Sequence, residues 1–417
     1  MTTKIYDKGM VIVGAGEAGT RAAIELRNQG WGGLITLIGE ENMIPYERPP
    51  LSKNTLLSED EPSPNYIAVK KTFLEYDINF VSNYKVTEIN RDNKTVILDN
   101  ADEIPYERLL LATGARPRKL PSEISNNSRL MYLRTFSDSL SLRNKLVTGK
   151  HVVVIGGGFI GLEVATSAIK RGCTVTVIEV GPRILMRGVP EEVAKIIEER
   201  HINAGVQFKY GQAITNIETE KVNHVINLAD GSKVVCDEVI VGIGAVPETS
   251  LAESSGLDVD NGISVNEKLE TSDPNIYAIG DCCSFPHRYY GGDRIRLEAW
   301  RNAQDQGTHV ARNMLGASEP YVTIPWFWSD QYDQTLYVAG LSGYGKNVVC
   351  RDLGDSGKIF FHLSDDNEIV AASGVGTKVA KDIRTAELFI EKRVKVNPND
   401  LTNADIKLKK LLTVNVD

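Results

Sequence analysis

Two glycine-rich hexads are the residues in this chain whose types and spacing could do chemistry: Gly14-Ala15-Gly16-Glu17-Ala18-Gly19 and Gly156-Gly157-Gly158-Phe159-Ile160-Gly161. Each follows a short apolar run, Met10 to Val13 in one case and Val152 to Ile155 in the other. Each precedes a helix-like stretch, a second apolar run (Leu34 to Ile38; Thr174 to Ile178) and an acid, Glu40 or Glu179. The chemistry this suits is recognition of a dinucleotide. In a strand–helix–strand unit the first glycine permits the tight turn, the second lets backbone approach a pyrophosphate, and the third lets the helix close onto the strand. The helix N-terminus then faces the phosphates, and the acid accepts hydrogen bonds from the adenosine ribose. One such match also arises from packing alone. Two complete copies predict two dinucleotides bound side by side.

The elements that must position these loops are spread along 417 residues, enough for two or three domains with real cores. Hydrophobic residues at 42% and charged residues at 24% describe an ordinary globular protein. A net charge of −8 gives no electrostatic reason to expect nucleic acid or anionic lipid as a partner. The apolar run near the N-terminus is too short for a signal peptide, and no stretch approaches the roughly 20 apolar residues of a membrane span. A cytoplasmic location with no membrane partner is the expectation. The five cysteines, Cys173, Cys236, Cys282, Cys283 and Cys350, form no C-x-x-C pair and show no zinc-like spacing with histidine, so reduced thiols are expected. The six histidines follow no motif and receive no role.

The alternation of strands and helices runs to about Leu120, restarts at His151 and yields to strand-rich sequence after about Gly211. Val239 to Gly244 reads as an apolar strand, and Tyr277 to Asp281 as a buried strand ending in glycine and an acid. Glu298 to Leu315 has helical spacing of apolar positions. From Pro325 onward the pattern alternates (Tyr337 to Leu341, Ile359 to Leu363, Ile369 to Ser373), with a closing helix around Ala380 to Glu391. In Pro325-Trp326-Phe327-Trp328-Ser329-Asp330-Gln331-Tyr332 a strand would point both tryptophans to one face and Phe327 to the other.

These motifs, in this order over essentially the whole chain, resemble the FAD-containing, NADH-dependent ferredoxin reductases that serve Rieske oxygenases and haem-thiolate monooxygenases. The resemblance implies an α/β fold with two Rossmann-like dinucleotide-binding domains, arranged as in glutathione reductase, plus a mixed α/β C-terminal domain. The implied division is a discontinuous FAD-binding domain at 1–116 and 249–324, an NAD-binding domain at 117–248 and a C-terminal domain at 325–417.

The resemblance also implies roles. Gly14, Gly16, Ala18, Gly19 and Glu40 would hold the FAD adenosine diphosphate. In Tyr46-Glu47-Arg48-Pro49-Pro50-Leu51-Ser52-Lys53, Arg48 would meet the FAD phosphates and Lys53 would lie near the flavin ring, where a cation stabilises the charge gained on reduction. Ala112, Thr113 and Gly114 would contact FAD through a returning strand, and Val86 and Arg134 match further FAD positions. Asp281 would bond the ribityl chain, and Trp300, opening a helix aimed at the ring, and Trp328 would complete the set. Gly156, Gly158, Ile160, Gly161, Glu179 and Gly244 would bind NADH. Glu163 would sit by the nicotinamide carboxamide and pair with Lys53, the two residues given catalytic roles. Hydride would pass from nicotinamide to flavin, and electrons singly to a [2Fe–2S] ferredoxin. Residues 378–410, with nine Lys or Arg against five Asp or Glu, offer a basic patch for an acidic ferredoxin. The alternatives are a reductase of rubredoxin, a quinone-like molecule or oxygen, or a signalling flavoprotein like apoptosis-inducing factor.

Overall fold

The apolar run ahead of the first fingerprint becomes strand β1, Gly9–Val13, with every residue buried. It pairs in parallel with β2, Leu34–Gly39, on one side and with β6, Glu103–Leu111, on the other. Burial on both faces is what a central parallel strand demands, and it explains continuous apolar sequence instead of alternation. The sheet continues from β2 to β3, Asn79–Ser82. On the other flank, the first half of β6 pairs antiparallel with β5, Thr95–Leu98, which pairs with β4, Val86–Asn90. The second half of β6 instead takes the strand Ile276–Ala278 in parallel. On this flank the nine residues of β6 thus serve two different neighbours.

The computed structural model describes residues 8–125, 129–186, 188–220 and 222–412. Contacts divide the chain into two units. The first is built from the chain up to Glu47, Pro64–Arg116 and Val246–Thr323; the second from Arg48–Ser63, Pro117–Ala245 and the chain from Ile324 on. Arg48–Ser63, which the sequence division assigns with the N-terminal residues, packs in the second unit. The reason is local: Leu56 joins the core formed by Val152, Val154, Val164 and Val177, and Ser139 and Ser167 donate to the carbonyls of Leu51 and Ser52.

The second unit repeats the same logic. A four-stranded parallel sheet runs Gln207–Tyr210, Thr174–Glu179, His151–Ile155, Glu238–Val241. An antiparallel three-stranded sheet, Ile214–Glu220, Asn223–Leu228 and Lys233–Cys236, covers it through a core that includes Val153, Ile217, Ile226 and Val239. From Trp326 the chain forms a five-stranded antiparallel sheet in the order Trp326–Gln331, Gln334–Gly340, Ile369–Gly376, Lys358–Leu363, Asn347–Asp352. Helix Ala380–Glu391 packs on it through Ile383, Ala386, Phe389 and Ile390.

Two expected strands end early. The first stops at Val241, before Gly244 with φ +107°. The other stops at Ala278, so Asp281 lies past the strand, in the 3-10 turn Gly280–Cys282. Gly280 has φ +76°, a left-handed value that breaks the ladder. The expected helix at 298–315 spans Trp300–Met314.

Candidate dinucleotide-binding sites and a buried ionic cluster

In both fingerprints the three glycines face three different constraints. Gly14 and Gly156 have φ of +109° and +104°, and a Cβ at either would lie 2.2 Å from the Ala112 carbonyl oxygen or 2.4 Å from that of Gly242. Only glycine serves there. Gly19 and Gly161 bring helix onto strand: a Cβ would lie 2.0 and 2.3 Å from the carbonyl oxygens of Gly14 and Gly156. The middle glycines are the opposite case. A Cβ on Gly16 would meet nothing within 4 Å, and on Gly158 only Gly242 O at 4.0 Å. Gly16 and Gly158 are also the N-caps of the helices Glu17–Asn28 (α1) and Phe159–Lys170, and neither helix has a side-chain cap. Each loop therefore leaves open space beside helix N–H groups, which is what a pyrophosphate fits. Ile160, 49% exposed on the first turn of the second of these helices, borders that space.

The two acids behave differently. Glu40, one residue past β2, is exposed and lies 3.5 Å from Lys85. Glu179 folds back onto its own loop: one carboxylate oxygen accepts from Gly157 N at 2.7 Å and the other from Gly181 N at 2.8 Å. Its negative charge is thereby fixed at the mouth of the second fingerprint.

Of the remaining candidates in the first unit, Ala112 and Thr113 lie against the first loop. The Ala112 backbone touches Gly14, Thr113 donates its hydroxyl to Glu248 O at 2.6 Å, and Gly114 has φ +72°. Ala18 lies at the crossing of α1 with the helix opened by Trp300, where a Cβ on Gly307 would meet Ala18 O at 2.6 Å. A Cβ on Gly280, next to Asp281, would lie 3.2 Å from the Ala18 Cβ. Gln306, fully buried on the same helix, accepts from Gly280 N at 2.7 Å, while its own Nε2 has no hydrogen-bond partner. Val86 is 3% exposed among core residues, so packing is what it contributes in this structure.

In the second unit, Arg48 donates to the Arg134 carbonyl. Lys53 and Glu163 meet, as expected. Lys53 Nζ lies 3.2 Å from Glu163 and 3.1 Å from Asp330, and 5.7 Å from the centre of the Trp328 ring. Trp328 and Trp326 share a face with ring centres 5.7 Å apart, while Phe327 turns the other way to meet Phe159. Glu163 is 4% exposed. Ser52 donates to one of its oxygens and Ser329 to the other, at 2.6 Å for Ser329. Burial pushes the carboxyl up, opposed by the Lys53 charge and the two serine hydroxyls. A carboxylate with a cation and two hydroxyls is an affordable buried charge.

Sequence reasoning found the pair but missed its setting. Ser329 and Gln331 sit two apart on one strand and so share a face. Two polar residues at that spacing inside an aromatic strand were the available signal. His201, in the helix Glu191–Asn203, carried no signal, because only tertiary packing brings it to Gln331 at 3.0 Å. The cysteines are free thiols, with Cys282 and Cys283 fully buried. No helix among the described residues is long and apolar enough to cross a membrane.

Residues 8–307 match the pyridine nucleotide-disulphide oxidoreductase family, and residues 326–412 match the reductase C-terminal domain. Putidaredoxin reductase of Pseudomonas putida is 38% identical over 412 residues, covering 97% of this chain and 96% of that protein. A rubredoxin-NAD(+) reductase of Pseudomonas putida is 42% identical over 343 residues, covering 82% and 89%. Among solved structures, the covalent putidaredoxin reductase–putidaredoxin complex superposes with a TM-score of 0.90 at 35% identity, covering 98% of this chain and 99% of that chain.

Proposed function

Because the chain belongs to the pyridine nucleotide-disulphide oxidoreductase family, we propose that it is an NADH-dependent, FAD-containing reductase of a small [2Fe–2S] ferredoxin that feeds an oxygenase. The observation that carries this is the doubled fingerprint: two open, uncapped helix N-termini, each with its acid, call for two dinucleotides. FAD, when bound, accepts a hydride equivalent from NADH and releases two electrons singly. Gly14, Gly16, Ala18, Gly19, Glu40, Ala112, Thr113, Gly114, Asp281 and Trp300 would hold it; the resemblance adds Arg48, Lys53, Val86, Arg134 and Trp328. Gly156, Gly158, Ile160, Gly161, Glu179 and Gly244 would hold NADH, with Glu163 orienting the carboxamide and Lys53 opposing the rise that burial imposes on its carboxyl. The three-domain division is proposed with these roles. No cysteine pair stands in C-x-x-C spacing, which supports an external electron acceptor over a dithiol within the chain. Five free thiols suit a reducing compartment, which supports a cytoplasmic location.

The purified protein should be yellow, with about one non-covalent FAD per chain. Asp281→Ala should leave ribityl hydroxyls unpaired and weaken FAD by about 1–3 kcal/mol. Dialysis against a flavin trap measures it, and parental retention would remove Asp281 from the site.

For the acceptor, Lys378, Lys381 and Arg384 are all exposed at the start of the helix Ala380–Glu391. Electron transfer to an acidic ferredoxin should slow steeply as salt rises from about 0.05 to 0.5 M, while reduction of a neutral dye barely changes. Replacing all three residues by Glu should raise the ferredoxin KM and leave reduction by NADH intact. A salt-independent ferredoxin rate, with the triple variant like the parent, counts against this patch. The rubredoxin reductase relative favours a second reading, with rubredoxin as acceptor. The ratio of kcat/KM for a [2Fe–2S] ferredoxin against a rubredoxin decides between them.

A further inference from the structure

Behind Glu163 runs a line of side chains whose hydrogen bonds all point the same way. The Tyr332 hydroxyl lies 3.3 Å from Nδ1 of His201, and Nε2 of His201 lies 3.0 Å from Oε1 of Gln331. Gln331 Nε2 donates to Ser329 Oγ at 2.9 Å, and Ser329 donates to Glu163 at 2.6 Å. Thr166 also donates to Gln331 Oε1, at 3.3 Å. The amide sets the direction, because its oxygen only accepts and its nitrogen only donates. His201 therefore carries its proton on Nε2 and accepts from Tyr332 at Nδ1. Ser329, with a lone pair engaged by Gln331, turns its single proton onto the carboxylate. A reversed amide would take that proton away and set oxygen against oxygen, so an ionised Glu163 requires the orientation described. Gln331 and His201 are fully buried and Ser329 is 1% exposed, so these bonds are made within the protein.

We infer that Ser329, Gln331 and His201 are positioning residues that direct a chain of proton donors at Glu163 and hold its carboxylate against Lys53. Aligned hydrogen bonds polarise one another, so the far members act on the carboxylate through the near ones. Burial holds His201 down at about 4, so it is neutral at ordinary pH, as the chain requires. Burial likewise pushes the Tyr332 phenol up to about 12 and keeps its proton. The other charged groups facing the line are Lys53 with Asp330, Arg200, which stacks on Tyr332 at 4.4 Å and pairs with Asp333, and Lys170, 3.4 Å from the Tyr332 carbonyl. The inference rests on the proposed function only for what the Lys53–Glu163 pair does in turnover.

The test is an infrared pH titration of the Glu163 carboxylic-acid C=O stretch in the flavin-loaded full chain, assigned by its loss in Glu163→Gln. Ser329→Ala and Gln331→Met should raise the midpoint by at least about one pH unit, a tenfold gain in proton affinity. His201→Phe keeps the ring contacts and loses the donor, and should shift it the same way by less. His201→Gln, which keeps an N–H, should titrate near the parent. Parental midpoints in both Gln331→Met and His201→Phe would overturn the relay. Should Gln331→Met fail to fold, the two His201 variants decide alone. Either result leaves ferredoxin reduction, measured separately, to stand or fall by itself.

Discussion

NADPH should be used with a kcat/KM roughly ten- to a thousandfold below that for NADH. Glu179 ends the second strand of the second fingerprint, where the ribose 2′ position belongs. The structure pins its charge there through Gly157 N and Gly181 N. A 2′-phosphate brings up to two further negative charges. At about 4 Å each like-charge pair costs about 1 kcal/mol in water and about 4 near a protein surface. In the sequence Arg183 is the residue that could offset this by swinging toward a phosphate. It is instead tied to the carbonyls of Ile184 and Val189, at 2.9 and 3.2 Å. Neutralising a phosphate would mean giving up both bonds. Steady-state dye reduction with both nucleotides measures the ratio. Glu179→Gln should bring it close to one, and equal kcat/KM in the parent would take Glu179 out of nucleotide selection.

Lys53→Met should destabilise the protein by about 3–5 kcal/mol near neutral pH, the usual cost of leaving one member of a buried pair without its partner. Glu163 would keep its serine donors and lose its cation, and its carboxyl, already pushed up by burial, would rise further. The sign of the pH dependence follows. A carboxyl raised in the folded state binds its proton more tightly than when unfolded, so its ionisation opposes folding. That cost is absent at pH below the unfolded value and grows as pH rises toward the folded one. The stability gap between Lys53→Met and the parent should therefore open as pH rises through the parent's already raised folded value and widen toward the variant's still higher one. Lys53→Met combined with Glu163→Gln should recover most of the loss, because no buried charge is left to strand. Urea unfolding at several pH values checks this. A gap that stays flat with pH would mean that Lys53 contributes by packing alone.

The exposed charges proposed for ferredoxin docking are screened and individually worth little. Their effect would be kinetic: a basic cluster on one helix would steer encounter, whereas Lys53 with Glu163, and Glu179 with a nucleotide, would act at contact distance.

Much of this is legible in the amino-acid sequence. The two fingerprints are local: turn, glycines and acid lie within one strand–helix–strand stretch, so their spacing can be read from the sequence and their doubling is what points to two dinucleotides. The positive φ of Gly14 and Gly156 belongs to that local turn, whereas the carbonyls of Ala112 and Gly242, 2.2 and 2.4 Å from where a Cβ would stand, come from distant strands and add a constraint the window does not carry. Strand alternation likewise placed Trp326 and Trp328 on one face and Phe327 on the other. What only the tertiary structure decided are contacts between residues far apart in the chain, together with backbone turns and side-chain placements that periodicity does not report. Arg48–Ser63 packs with the second unit because Leu56 finds its core there. Asp281 leaves its strand because Gly280 turns left-handed. Arg183 is tied down by two carbonyls. Glu163 collects Ser52, Lys53 and Ser329 from segments more than a hundred residues away on either side. Periodicity reports which face of an element is buried, but it does not report which distant side chain shares that burial. A buried carboxylate is set by those partners, so the charge of Glu163 belongs to the fold.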